Sequence, residues 1–158
     1  MKKEMRKAER RLSDEMTKEI LNNGLYGVLS TVGEDGMPYG VPMSYAVDGS
    51  RIYFHCAPEG HKLDNIIYNN NVSFTVVDGV ETLADKFSTK YRSVITFGKI
   101  SVADDVAEKR KGIEAIMMKY CADFADAGDA YIKKYFERFK ILFIDIESIS
   151  GKGRLELN

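Results

Sequence analysis

Two Asp-Gly steps, Asp35-Gly36 and Asp48-Gly49, divide residues 25–57 into three short apolar runs. This punctuation constrains the fold more than any other feature of the chain. Asp-Gly accepts the positive φ that a tight hairpin needs, so each step reads as a turn between antiparallel strands. The runs 26–32, 38–47 and 51–57 therefore predict a three-stranded β-meander.

The flanking segments carry helical signals. Residues 14–23 predict a helix, with Ser13 or Asp14 as N-cap, Met16, Ile20 and Leu21 on one face, and Gly24 as the stop. After the third strand, Pro58-Glu59-Gly60 opens a helix over 61–69 with Leu63, Ile66 and Ile67 inward, ended by Asn69-Asn70-Asn71. Residues 72–77 predict a fourth strand, 78–90 a polar loop, and 91–103 a long strand with a bulge at Gly98. Asp104-Asp105 cap a helix to residue 120, on which Val106, Ile113, Ile116, Met117 and Tyr120 share a face. Gly128-Asp129 start another helix, to residue 137. The last strand, 139–149, is apolar on both sides at Ile141, Leu142, Phe143 and Ile144, which requires burial on both faces. Residues 151–158 form a loosely specified tail, and 1–11 a basic arm with six cations against two acids. Six strands with helices inserted among them predict a mainly β fold with α additions, a small barrel, as one domain over residues 1–158.

Charge and composition then exclude several classes. Lys and Arg number 23 against 24 Asp and Glu, a balance that argues against nucleic acid or an anionic membrane as partner. No apolar run is long enough for a transmembrane helix, and no signal peptide is visible. Two cysteines, Cys56 and Cys121, make no disulfide framework, and a reducing cytoplasm is the expected compartment. With only two histidines, His55 and His61, metal binding is not expected.

Three stretches could carry chemistry. In the first, alternation places Ile52, Phe54 and Cys56 on the core face of a strand and turns His55 to the opposite face, towards a cleft or partner. That strand ends at Gly60, and a helix begins with His61 and Lys62. Free amides and the helix dipole favour an anion there, although ordinary helices also begin after Gly with a Lys nearby. In the second, Lys90-Tyr91-Arg92-Ser93 either decorates a solvated edge or supplies phosphate ligands. In the third, Pro42 within Tyr39–Tyr45 marks an edge strand, whose unpaired backbone groups could bond a flat heterocycle.

At these residues the sequence resembles the flavin-binding split-barrel superfamily related to pyridoxamine 5′-phosphate oxidase, and within it the nitroimidazole-resistance (Nim) group. Five segments carry the resemblance in order: Met5–Arg10; Gly27–Thr31 with Gly36–Pro42; Tyr53–Ala57 with Gly60–Leu63; Thr89–Ile95 with Phe97–Lys99; and Ile144–Lys152. The resemblance implies a six-stranded split β-barrel homodimer with FMN at the subunit interface, FAD being the other flavin to consider. It further implies that the backbone of Val41, Pro42, Met43 and Ser44 meets the isoalloxazine edge. His55, Cys56, Gly60, His61 and Lys62 would hold ribityl and phosphate, and Arg92 and Ser93 would come from the second subunit. His55 would be a candidate proton donor to a small, electron-poor aromatic substrate such as a nitroimidazole. A non-catalytic flavin or haem carrier or sensor is the alternative role within the same fold. The chain departs from the oxidase branch at Tyr39, where that branch has arginine, and at His61-Lys62, where it has an arginine–lysine pair.

Overall fold

The computed structural model describes residues 4–155. After a 3-10 turn at Ala8–Arg10, the elements are α1 (Asp14–Asn23), β1 (Gly27–Val32), β2 (Pro38–Met43), β3 (Ala46–Asp48), β4 (Arg51–Cys56), α2 (His61–Tyr68), β5 (Asn71–Leu83), β6 (Ser88–Val102), α3 (Val106–Cys121), α4 (Ala125–Tyr135) and β7 (Lys140–Arg154). The strands form one antiparallel sheet in the order β2-β1-β5-β6-β7-β4-β3.

Both Asp-Gly turns form, with φ of 77° at Gly36 and 60° at Gly49. They join β1 to β2 and β3 to β4. The meander between them does not form. The predicted strand 38–47 breaks at Ser44-Tyr45, and its halves lie at opposite ends of the strand order. This raises the strand count from six to seven. Two residues link those ends, so the sheet has to curl back on itself as a half-closed barrel. The cause of the break is Tyr45. Its side chain is fully buried in the core, and its amide donates to the Tyr120 hydroxyl at 3.0 Å instead of to a strand. Its own hydroxyl donates to the Leu21 carbonyl.

β4 and β7 divide the core. On the barrel side lie Leu29, Ile52, Phe54, Phe74, Leu142 and Ile144; beneath α3 and α4 lie Tyr53, Ile113, Ile132 and Ile141. The last strand is thus buried on both faces at its centre, as its apolar run requires. Two helical faces differ from expectation. Ile67 and Val106 are 83% and 64% exposed, and Asn65 is buried in α2, where its amide donates to Thr31 Oγ1 at 3.0 Å.

The expected polar loop 78–90 is instead the outer half of the β5–β6 hairpin. There Glu81 pairs with Lys90 and Thr82 with Thr89 across the strands. With solvent on both sides of this arm, polar cross-strand pairs replace the apolar alternation that marks a strand. The bulge at Gly98 forms, but the extra residue is on β7: Phe97 faces Ser148 and Gly98 faces Ile146, so Glu147 is the inserted position of the bulge. Gly98 lies so close to β7 that a Cβ there would collide with the Asp145 carbonyl. α4 begins before Gly128, which is interior to the helix and buried under Met117.

The two ends are more ordered than expected. β7 continues through Arg154, taking up half of the expected tail. β4 stops pairing at Asp145, and past that point the chain near Arg11 covers the free edge of β7. Arg11 bridges Lys152, and the Leu12 amide donates to the Gly151 carbonyl at 3.1 Å. Part of the basic arm is therefore an edge cover rather than a solvated extension. Residues 1–3 of that arm and 156–158 of the tail lie outside the described residues. No helix of the described residues is long and apolar enough to cross a membrane.

Candidate functional site

β2 ends the strand order, so its outer edge faces no strand. Val41, Pro42 and Met43 lie on it, and Ser44 follows at the crossing to β3. Pro42 has no N–H to offer a ladder and is exposed, as an edge position allows. Tyr39, on the same strand, stacks on His61 with ring centroids 4.2 Å apart. This contact fixes the edge of β2 beside the start of α2.

The start of α2 carries no side-chain cap. Gly60 occupies the N-cap at φ 134°, a backbone conformation that disfavours any other residue, and nothing lies within 4 Å of where its Cβ would stand. Open space at the N-cap leaves room for an anion at the helix start. Lys62, half-buried in that turn, forms no ion pair among the described residues. Its charge is felt at Cys56. Burial pushes the Cys56 thiol above its usual range, and Lys62 and then Lys140 partly oppose that rise. Cys56 itself points into the barrel core, on the face opposite His55.

His55 packs edge-on against Phe139, with centroids 5.0 Å apart. The residue remains exposed overall, yet the covered part of its ring suffices to lower its pKa from the ordinary histidine value through lost hydration. It is therefore a neutral imidazole at neutral pH. Phe139 could have been suspected from sequence only as a core residue; its place over His55 comes from the α4–β7 connection.

Arg92 and Ser93 lie elsewhere in the chain. Arg92 is ion-paired to Asp78 and, at 3.8 Å, to Glu19 of α1. Lys90 pairs with Glu81 at 3.3 Å. Within one chain Lys90 and Arg92 are thus each neutralised locally, by acids of their own hairpin and of α1. Ser93 donates to the Lys152 carbonyl at 3.2 Å.

A second cluster holds the crossing at Ser44-Tyr45 and went unread in the sequence. The Tyr120 hydroxyl accepts from the Tyr45 amide and lies 2.6 Å from the Leu25 carbonyl and 2.9 Å from that of Tyr45. Lys119 donates to the Gly24 carbonyl at 2.6 Å and sits 3.8 Å from the Tyr45 ring centroid. Burial lowers its ammonium to about 8. One turn of α3 thereby fixes the end of α1 and the seam between β2 and β3. Among the described residues, no group of three His, Cys, Asp or Glu side chains could hold a metal ion.

Comparison with known proteins identifies the lineage. The family described as pyridoxamine 5′-phosphate oxidase matches residues 13–153. The chain belongs to that family. Its fold is a split barrel shared with solved structures of low sequence identity. One is a protein from Bacteroides thetaiotaomicron provisionally assigned to 5-nitroimidazole antibiotic resistance, 23% identical, TM-score 0.76, covering 90% of this chain and 86% of that one. Another is a conserved hypothetical protein from Mycobacterium tuberculosis, 18% identical, TM-score 0.80, covering 98% of each chain. A third is the FAD and haem binding protein from Mycobacterium smegmatis, 19% identical, TM-score 0.74, covering 94% of this chain and 76% of that one. No curated protein matches the chain.

Proposed function

We propose that this protein is a flavin-dependent oxidoreductase that works as a homodimer, with FMN as cofactor and small electron-poor aromatics, nitroimidazoles among them, as substrates. The observation that carries the reading is the uncapped start of α2, with its unpaired Lys62, fixed by the Tyr39–His61 stack beside the unpartnered edge of β2. An anion site next to a row of free backbone groups suits a phosphate joined to a flat heterocycle. Lys62 and the first-turn amides would hold the phosphate, and the backbone of Val41 to Ser44 the ring's polar edge. The flavin, when bound, supplies the redox chemistry. His55, at the end of the strand that leads into this turn, would be available to hold or pass a proton.

The homodimer is supported by the outer face of the sheet. Val28, Val77, Ile95 and Phe97 are between 36% and 56% exposed there, on the adjacent strands β1, β5 and β6. Large apolar side chains gathered on one outer sheet face ask for a partner surface. A pairing through it would also present Ser93, which shares that face, to the other subunit, whereas Arg92 alternates to the opposite face. The provisional resistance assignment of the Bacteroides relative supports the nitroaromatic substrate class. The FAD and haem binding relative supports the second reading, a carrier or sensor, in which His55 would serve as an iron ligand.

The test is the absorbance of the purified protein and its thermal stability with added FMN. Flavin absorbance, and a rise in Tm with FMN that Lys62→Ala removes, would uphold the reading, because a ligand of the native state stabilises it by mass action. Colourless protein indifferent to FMN would overturn it. A Soret band lost in His55→Ala would establish haem instead.

A further inference from the structure

A cavity of about 870 Å³ lies between the N-terminal segment and the outer face of β6 and β7. Its floor is written in the strand register. Ser93, Ile95 and Phe97 alternate along β6, and directly opposite them on β7 stand Lys152, Ser150 and Ser148. Period-2 alternation puts all six on one face. The floor is therefore two parallel rows, one ending in apolar Ile95 and Phe97, the other of hydroxyls ending in a cation. At the Lys152 end Arg11 is bridged to the sheet, and Arg6 lines the wall above.

Among the described residues Arg6, Arg11 and Lys152 form no ion pair. Glu4 and Glu147 line the same cavity, so among the described residues its cations outnumber its acids three to two. Four residue steps along the strand separate Phe97 from Ser93, a run of about 13 Å. A one- or two-ring aromatic lying on Ile95 and Phe97 would reach the cationic end with a carboxylate.

We propose that this cavity is a binding site for flat aromatic carboxylates, recognised at the charged end by Lys152, Arg11 and Arg6. The inference rests on the proposed dimer for its meaning. Ser93 belongs to the segment expected to reach the partner's flavin, so an occupant would be the substrate at that interface. The function would then be narrowed to anionic electron-poor aromatics.

The experiment is isothermal titration calorimetry with 4-nitrobenzoate and its neutral isostere 4-nitrobenzamide, on the parent and on Arg6→Gln/Lys152→Gln. The spectrum of any bound flavin is recorded in parallel. The parent should bind the carboxylate about tenfold more tightly than the amide, the worth of one partly screened charge-assisted contact. The variant should lose that preference while keeping the amide affinity and the parent's Tm. Equal affinities in the parent, or a preference that survives in the variant, would overturn the proposal. Ser148→Val gives a second arm that leaves the charges alone, and it should weaken both ligands. If flavin is absent and the preference present, the oxidoreductase reading fails and the anion site stands. If flavin is present and the preference absent, the reverse holds.

Discussion

Tyr120→Phe removes one oxygen, and the structure assigns that oxygen an outsized role. The Tyr45 amide has the Tyr120 hydroxyl as its acceptor, at 3.0 Å, and Tyr45 is fully buried. Without that oxygen the amide is left unsatisfied away from water, a loss of about 1–3 kcal/mol. The Leu25 carbonyl, on the exposed side, can turn to water and adds little. The expected destabilisation is about 2 kcal/mol, a large fraction of the total stability of a domain this size. Urea unfolding should show a lower midpoint with an unchanged slope, since the buried surface is nearly the same. Thermal unfolding should drop by about 4–8 °C. Tyr131→Phe is the control: that ring is 56% exposed on α4, and its loss should fall within experimental scatter. If Tyr120→Phe costs no more than Tyr131→Phe, the crossing at Ser44-Tyr45 is not held by this hydroxyl, and the account of why the second strand breaks is wrong.

Two further outcomes follow from the same structure. Gly98→Ala should destabilise by about 3 kcal/mol, because the new methyl meets the backbone of β7, whereas Gly36→Ala, with open space around it, should lose only about 1 kcal/mol to its positive φ; equal losses in chemical denaturation would refute the close-approach reading. For His55, burial lowers the folded-state pKa below the unfolded value, so the unfolded chain takes up the proton first and stability is lost as pH falls below the ordinary histidine range. The parent should therefore lose stability relative to His55→Gln between about pH 7 and 5, and parallel Tm profiles would contradict this.

How much was legible depended on whether the signal was local. The Asp-Gly turns, the Ser13 and Asp105 caps and the two-sided apolar run of β7 are decided by neighbouring residues, and all appear in the structure. The break at Tyr45 was not legible, because the acceptor that takes its amide out of the ladder is Tyr120, 75 residues away. The outer β5–β6 hairpin was read as loop because Glu81, Thr82, Thr89 and Lys90 look like loop residues until they are seen facing each other. Of the site, Lys62 at an uncapped helix start and Pro42 on an edge strand could be read directly. The pairing of Arg92 with Asp78 and Glu19, and the cavity under Arg6 and Arg11, required the fold.

The unpartnered edge of β2 has an evolutionary consequence. Contacts made there come from the main chain, and a main-chain amide survives nearly every substitution of the side chain it carries. Under the proposed function, Val41, Met43 and Ser44 would therefore be free to drift in size and polarity, reshaping what lies over the ligand, while the groups that grip it stay in place. Pro42 is the exception, since any replacement would introduce an N–H and offer the seam a new chance to zip shut. On that reading, a lineage built this way would change its substrate quickly and its cofactor only slowly.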